Sequence, residues 1–146
     1  MNFGVDIPFV HHLGFELMLF EGGASQIDYT PRPEHLNSFY VTHGGALMTL
    51  QDVVMATAAR SVQQDMGVVT IEMKTSFMRP GPGDGSKLTA KGRLIHRTAT
   101  MAFTEGMVYD AKGQLCSHST GTFKYVKRLA VGSKGVNPLN SVISTD

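Results

Sequence analysis

Residues 39–61 read FYVTHGGALMTLQDVVMATAARS, and the fold turns on how they are understood. Leu47, Leu50, Val53, Val54 and Ala58 recur at three- and four-residue steps and make one apolar face. That periodicity predicts a helix from the glycines to about residue 63. Gly44 and Gly45 are poor helix formers, each costing about 1 kcal/mol relative to alanine. At a helix start they have a use, because they leave the N–H groups of the first turn open to a ligand. Such groups stabilise a developing oxyanion. Asp52 lies nine positions after His43, among small and apolar neighbours, and a carboxylate is costly to bury unpaired. Nine residues of helix are ~13.5 Å of rise and about half a turn out of phase, so His43 and Asp52 of one straight helix cannot serve the same small group. Two copies with side-by-side antiparallel helices remove the conflict: Asp52 of one then faces Gly44 and His43 of the other.

On either side the chain reads as strands. FELMLF (15–20) and ASQIDYT (24–30) form a hairpin about Gly22 and Gly23. Residues 5–13 read as a short helical turn, and PRPEHLNSFYVT (31–42) as a loop. After the helix come strands over 67–78, 86–97, 98–110 and 114–127, with RPGPGDG (79–85) as a break and DAKG (110–113) as a tight turn. The expected order is a hairpin, one long helix and a four-strand meander. This is an α+β domain over residues 1–128, a long central helix wrapped by a mostly antiparallel sheet of five to six strands. Residues 129–146 read as a polar, mobile tail.

With 146 residues, a 42% hydrophobic fraction and a net charge of +1, the chain has the size and core of a single domain. It has no general pull toward nucleic acid or membrane. No run of 18 apolar residues predicts a membrane span, and MNFGVDIPFVHHLGF lacks the layout of a signal peptide. A single cysteine, Cys116, fits a reducing, cytoplasmic setting and reads as a core residue on a strand. Met48, Met55, Met66, Met73, Met78, Met101 and Met107 read as core fillers, some of them available to line an adaptable pocket. His11 and His12 read as surface or pocket-rim residues. His96 and His118 lack metal-type spacing, so neither a metal nor a cofactor is expected.

Asn37, then His43-Gly44-Gly45 six residues later, then Asp52 nine residues after the histidine resembles the hotdog-fold acyl-CoA thioesterases, in particular the phenylacetate-pathway-like branch of the 4-hydroxybenzoyl-CoA thioesterase superfamily. The likeness extends over residues 10–127, through Thr70 on the strand after the helix, Phe-Met-Arg-Pro at 77–80 and STGTFKYV at 119–126. Two positions depart from the pattern: Tyr40, often glycine in relatives and here a residue that would narrow the acyl pocket, and Thr70, often serine.

The resemblance implies hydrolysis of an acyl-CoA to free acid and coenzyme A. The Gly44 N–H polarises the carbonyl, and Asp52 of the partner chain acts as general base or as nucleophile. Asn37 orients water or thioester, His43 holds the loop and supports Asn37 or the sulfur side, and Thr70 hydrogen-bonds Asp52 or the water. Coenzyme A is here part of the substrate. Its phosphates need cations, for which Arg97, His96 and Arg79 are the leading candidates beside the Gly45 backbone, Arg97 carrying most weight. Arg93, Lys124 and Lys127 stand behind them. An apolar acyl pocket is expected from Phe15, Phe39, Tyr40, Met48 and Met55, with aryl and aliphatic chains both open. The assembly implied is a homodimer joined edge to edge through its sheets, with shared active sites, paired again into a tetramer. A hotdog dehydratase or hydratase and a non-catalytic acyl-CoA binder are the competing readings. Asp52 argues against the binder, which has no use for a buried base.

Overall fold

Gly22 and Gly23 reverse the chain after the first strand, with φ of 62° and 86°. Two successive positive φ values are what a two-residue hairpin loop of matching twist requires. A computed structural model describes residues 1–128; the tail expected at 129–146 lies outside the described residues. A short helix α1 (Pro8–Leu13) precedes β1 (Glu16–Glu21) and β2 (Ala24–Tyr29). A 3-10 turn at Pro33–His35 and a loop lead to α2 (Gly44–Arg60), and then follow β3 (Met66–Phe77), β4 (Leu88–Arg97), β5 (Met101–Tyr109) and β6 (Leu115–Lys127). The strands make one six-stranded sheet in the order β1-β2-β4-β5-β6-β3, antiparallel throughout. One long helix on one antiparallel sheet is the hotdog arrangement.

The expected four-strand meander is corrected to three strands, β4-β5-β6. β3 lies at the far edge, paired with β6 from Met66↔Lys127 to Phe77↔Ser117, while β4 pairs with β2. The cause is the connection after β3. Pro80 and Pro82 cannot donate to a ladder, and the segment is held elsewhere: Thr42 N–H donates to the Gly81 carbonyl at 2.8 Å and Thr42 Oγ1 to the Pro82 carbonyl at 3.0 Å. Residues 78–87 thus pass along the loop before α2 instead of turning a hairpin.

The apolar stripe of α2 packs onto the sheet, burying Leu47, Leu50, Val54, Met55, Ala58 and Ala59. On β5 the inward residues Ala102, Thr104, Gly106 and Val108 alternate with outward ones. The helix comes close because β4 and β5 put glycines beneath it, Gly92 paired with Gly106. A Cβ on Gly92 would collide with the Val54 carbonyl oxygen and with Ser25 Oγ, which itself donates to that carbonyl at 2.6 Å. Gly92→Ala is therefore expected to cost about 1–3 kcal/mol through overpacking, read as a lower denaturation midpoint at unchanged slope. Cys116 is fully buried, as expected of a core residue. Phe15 and Met55, expected in an acyl pocket, belong instead to this core, and Met48 and Met78, expected as fillers, stand exposed. Among the described residues no helix is long and apolar enough to cross a membrane.

Candidate active site

His43 is the N-cap of α2, with φ −59° and ψ 136°. Its Nδ1 accepts the Gly45 N–H at 2.8 Å, and its carbonyl takes the N–H groups of Ala46 and Leu47 at 2.9 and 3.2 Å. These bonds occupy the other donors of the first turn. The Gly44 N–H has no partner among the described residues, and it sits at the positive end of a 17-residue helix. The His43 ring is thus engaged by Gly45 and makes no bond to Asn37.

Asn37 organises the loop ahead of the helix. Its Oδ1 accepts from the N–H groups of Phe39 and Val41 at 2.9 and 3.3 Å, which leaves the amide hydrogens as its free donors. The loop closes with Tyr40 at φ 59°, the sole non-glycine residue with positive φ among those described. Glycine adopts that conformation without strain, so Tyr40 holds a backbone conformation that a glycine there would take more easily. Tyr40 and Phe39 are 79% and 83% exposed, so within one protomer neither lines an apolar pocket. A cavity of about 310 Å³ opens here, lined by Asn37, Val41, Gly44, Leu47, Phe77 and Arg79 among others.

Asp52 opens into a different cavity, of about 280 Å³, between α2 and β3. Thr70 Oγ1 donates to Asp52 Oδ1 at 2.7 Å. Burial raises the carboxyl pKa, and the Thr70 bond partly offsets that rise. No cation lies within ion-pair distance of Asp52 among the described residues. Thr70→Val removes the offsetting bond, so the acid limb of a kcat/KM–pH profile, which reports the free enzyme's base, is expected to move to higher pH. A limb that stays put or moves down would show that Thr70 does not hold this carboxylate.

Gly44 and Asp52 are eight residues apart on α2, ~12 Å along the axis, and face separate cavities. Within one protomer the two groups therefore stand apart, as two candidate half-sites. Of the proposed phosphate cations, Arg79 lines the Gly44 cavity. Arg97 is committed elsewhere: its Nη2 donates to Gln63 Oε1 at 2.7 Å and its guanidinium lies 4.2 Å from the Tyr125 ring centroid. Gln63 follows the far end of α2, away from Gly44. His96 stacks on Phe103 with centroids 6.2 Å apart. His118 Nε2 and Arg93 both engage Glu105, each at close range, 2.8 and 2.7 Å; this network holds the Glu105 pKa down. Among the described residues no three His, Cys, Asp or Glu side chains are grouped to hold a metal.

Two residues near the half-sites carried no signal in the sequence. His35 is buried, meets the Tyr29 hydroxyl at 2.7 Å, and offers its carbonyl to the His43 N–H at 2.9 Å, tying the N-cap to the sheet. Burial holds its pKa down. Arg60 reads in sequence as an ordinary cation at a helix C-terminus, yet it is 5% exposed.

Over residues 39–117 the chain matches the thioesterase superfamily. It is 30% identical over 121 residues to an esterase-named protein of Thermoplasma volcanium, covering 79% of this chain and 85% of that one. The structure superposes on the PaaI protein of Escherichia coli, from the phenylacetic acid degradation operon, with a TM-score of 0.77 at 22% identity, over 83% and 86% of the two chains. It superposes on a Streptococcus mutans protein solved with acetyl-CoA bound, with a TM-score of 0.72 at 22% identity, over 80% and 92%.

Proposed function

The chain belongs to the thioesterase superfamily, and on that premise we propose that it hydrolyses an acyl-CoA thioester at a site shared between two protomers. The observation that carries this reading is the pair of incomplete half-sites on α2. One holds an unpartnered amide, Gly44 N–H, at a helix N-terminus. The other holds a carboxylate with no counter-ion among the described residues and an upward-shifted pKa. Each is chemically idle alone. Antiparallel pairing of two helices brings a base and an oxyanion donor to opposite sides of one carbonyl. The acetyl-CoA bound by the Streptococcus mutans neighbour supports a coenzyme A thioester as the substrate, and Arg79 in the Gly44 cavity is the cation best placed for its anionic arm.

In this mechanism Asp52 takes a proton from water as the oxygen attacks the carbonyl carbon. The oxyanion of the tetrahedral intermediate accepts the Gly44 N–H. Collapse breaks the C–S bond, and the proton held by Asp52 ends on the leaving sulfur. The direct alternative has Asp52 attack first, forming an acyl-aspartyl anhydride that water then opens. A single turnover in ¹⁸O-water tests the second: opening of the anhydride at the aspartyl carbon leaves label in the Asp52 carboxylate, which direct attack of water on the thioester never does.

The dimer forms through β3. That strand is 12 residues long, lies at the sheet edge, and carries exposed Ile71 and Phe77; such an edge recruits another strand unless it is covered. Light scattering is expected to give a multiple of two of the 15.8 kDa chain mass. A fully active monomer would end the shared-site reading. Release of free thiol from a panel of acyl-CoAs tests the function itself, and no release across aryl, aliphatic and carboxylate-bearing acyl groups of short and long chain would refute it.

A further inference from the structure

Arg60 ends α2 at 5% exposure, and its Nε has no hydrogen-bond partner among the described residues. None of the ion pairs among those residues includes it. The Phe20 ring lies 5.4 Å from its guanidinium carbon. Burial and the nearby Arg128 push its pKa down to about 10. A buried guanidinium with no counter-ion among the described residues is an unfavourable arrangement, one that a bound anion would relieve.

The cavity it lines is the Asp52 cavity. Arg128 lines it too, its guanidinium resting on Gly67, where a Cβ would sit 3.3 Å from Nε. The acids of that cavity do not answer the charge. Asp52 is bonded to Thr70, and Asp6 is exposed and pairs with neither arginine. The arrangement is a base at one end of an approximately 280 Å³ space and two guanidinium groups at the other, Arg60 buried and Arg128 exposed, neither in an ion pair among the described residues.

We propose that Arg60 and Arg128 bind a carboxylate at the far end of the acyl group, so that the substrate is the coenzyme A thioester of a short dicarboxylic acid. The inference rests on the hydrolase reading above, in which the thioester carbonyl lies at Asp52. Arg60 follows Asp52 by eight residues, ~12 Å of helix rise. Less the reach of both side chains, that spans an acyl group of roughly four to six carbons in extended form. The phosphates of coenzyme A lie beyond the long pantetheine arm, on the sulfur side of the carbonyl. They cannot share this small cavity with the acyl carbon.

The experiment compares kcat/KM for glutaryl-CoA and pentanoyl-CoA, equal in carbon count, in the wild type, Arg60→Met and Arg128→Met. The wild type is expected to prefer glutaryl-CoA by about 100-fold, because a site built for a charged group is left unpaired by an apolar one. Arg60→Met is expected to abolish that preference while sparing pentanoyl-CoA, and Arg128→Met to weaken it. A wild type that favours pentanoyl-CoA, or a ratio unchanged in Arg60→Met, overturns the proposal while leaving the hydrolase intact. If Arg60→Met slows both coenzyme A esters alike but not the corresponding N-acetylcysteamine thioesters, the arginine holds a phosphate and the proposal falls.

Should no thioester be cleaved, the hydrolase reading fails, and thermal shifts with free glutarate and pentanoate at matched ionic strength still decide the anion site. Glutarate alone should raise the melting temperature of the wild type, and should leave that of Arg60→Met unmoved. Without ligand, Arg60→Met should melt at or above the wild type. A lower melting temperature together with no glutarate shift in the wild type would mean that the chain or its partner supplies the counter-ion, which overturns the proposal.

Discussion

Asp52→Asn is expected to lower kcat for thioester hydrolysis by ~10²–10⁴, the usual contribution of a positioned base, and to raise the melting temperature at neutral pH. Both effects come from one cause. The fold holds the carboxyl partly buried with no ion-pair partner among the described residues, which suits a base and costs stability once the group ionises. Because its native pKa is raised, wild-type stability falls as pH climbs from the unfolded value, about 4, through the native one, and then levels off. Asparagine carries no such penalty and still accepts the Thr70 hydroxyl. The difference in melting temperature between variant and wild type should therefore be small below pH ~4 and open above it. A variant that loses activity and also melts lower at pH 7 would mean that Asp52 is a structural residue.

The second large effect belongs to Gly44→Pro, expected to cost ~10²–10³ in kcat, the worth of one oxyanion donor. Proline is well suited to the first position of a helix, where its missing N–H breaks no helical bond. The preceding His43, at φ −59° and ψ 136°, already has the extended conformation that a following proline demands. A Cβ on Gly44 would meet only Phe77 ring atoms, at 3.6 and 3.7 Å, ordinary contact distances. The substitution thus deletes the donor and little else. Gly44→Ala, which keeps the N–H, is the control and should remain within a few-fold of wild type. Equal losses in both would place the effect in packing and not in the amide.

The two variants also test the shared site together. Each is expected to be inactive alone. Dissociated, mixed and reassociated, they form heterodimers in which one site has an intact Gly44 from one chain and an intact Asp52 from the other. Random mixing should restore about a quarter of wild-type activity, since half the dimers are mixed and each has one good site of two. No recovery despite exchange of subunits would mean that both groups act within one chain.

Much of this was readable along the chain because local rules govern it. The 3.6-residue rhythm of Leu47, Leu50, Val54 and Ala58 announces α2, Gly22-Gly23 announces the hairpin, and the spacing of Asn37, His43, Gly44 and Asp52 carries the likeness to the thioesterase superfamily. The place of β3 was not readable. Pairing with β6 depends on where α2 delivers the chain and on Thr42 holding Gly81 and Pro82, which are contacts across about 40 residues. Nor was the fate of Arg97: its type promised a phosphate ligand, while Gln63 and Tyr125, distant in sequence, hold it in place. Tyr40 drew notice by its identity, but only the backbone reveals its positive φ.

By itself the sequence determined the elements and the chemical repertoire, since periodicity, turn residues and a helix N-terminus built on glycine are properties of neighbours a few residues apart. Tertiary structure decided which polar groups stay unanswered. Gly44 N–H is available because His43 occupies Gly45, Asp52 is raised in pKa because packing buries it, and Arg60 is buried without an ion-pair partner among the described residues. Whether a charge or a donor is satisfied depends on everything that surrounds it in space, and chain order does not record that.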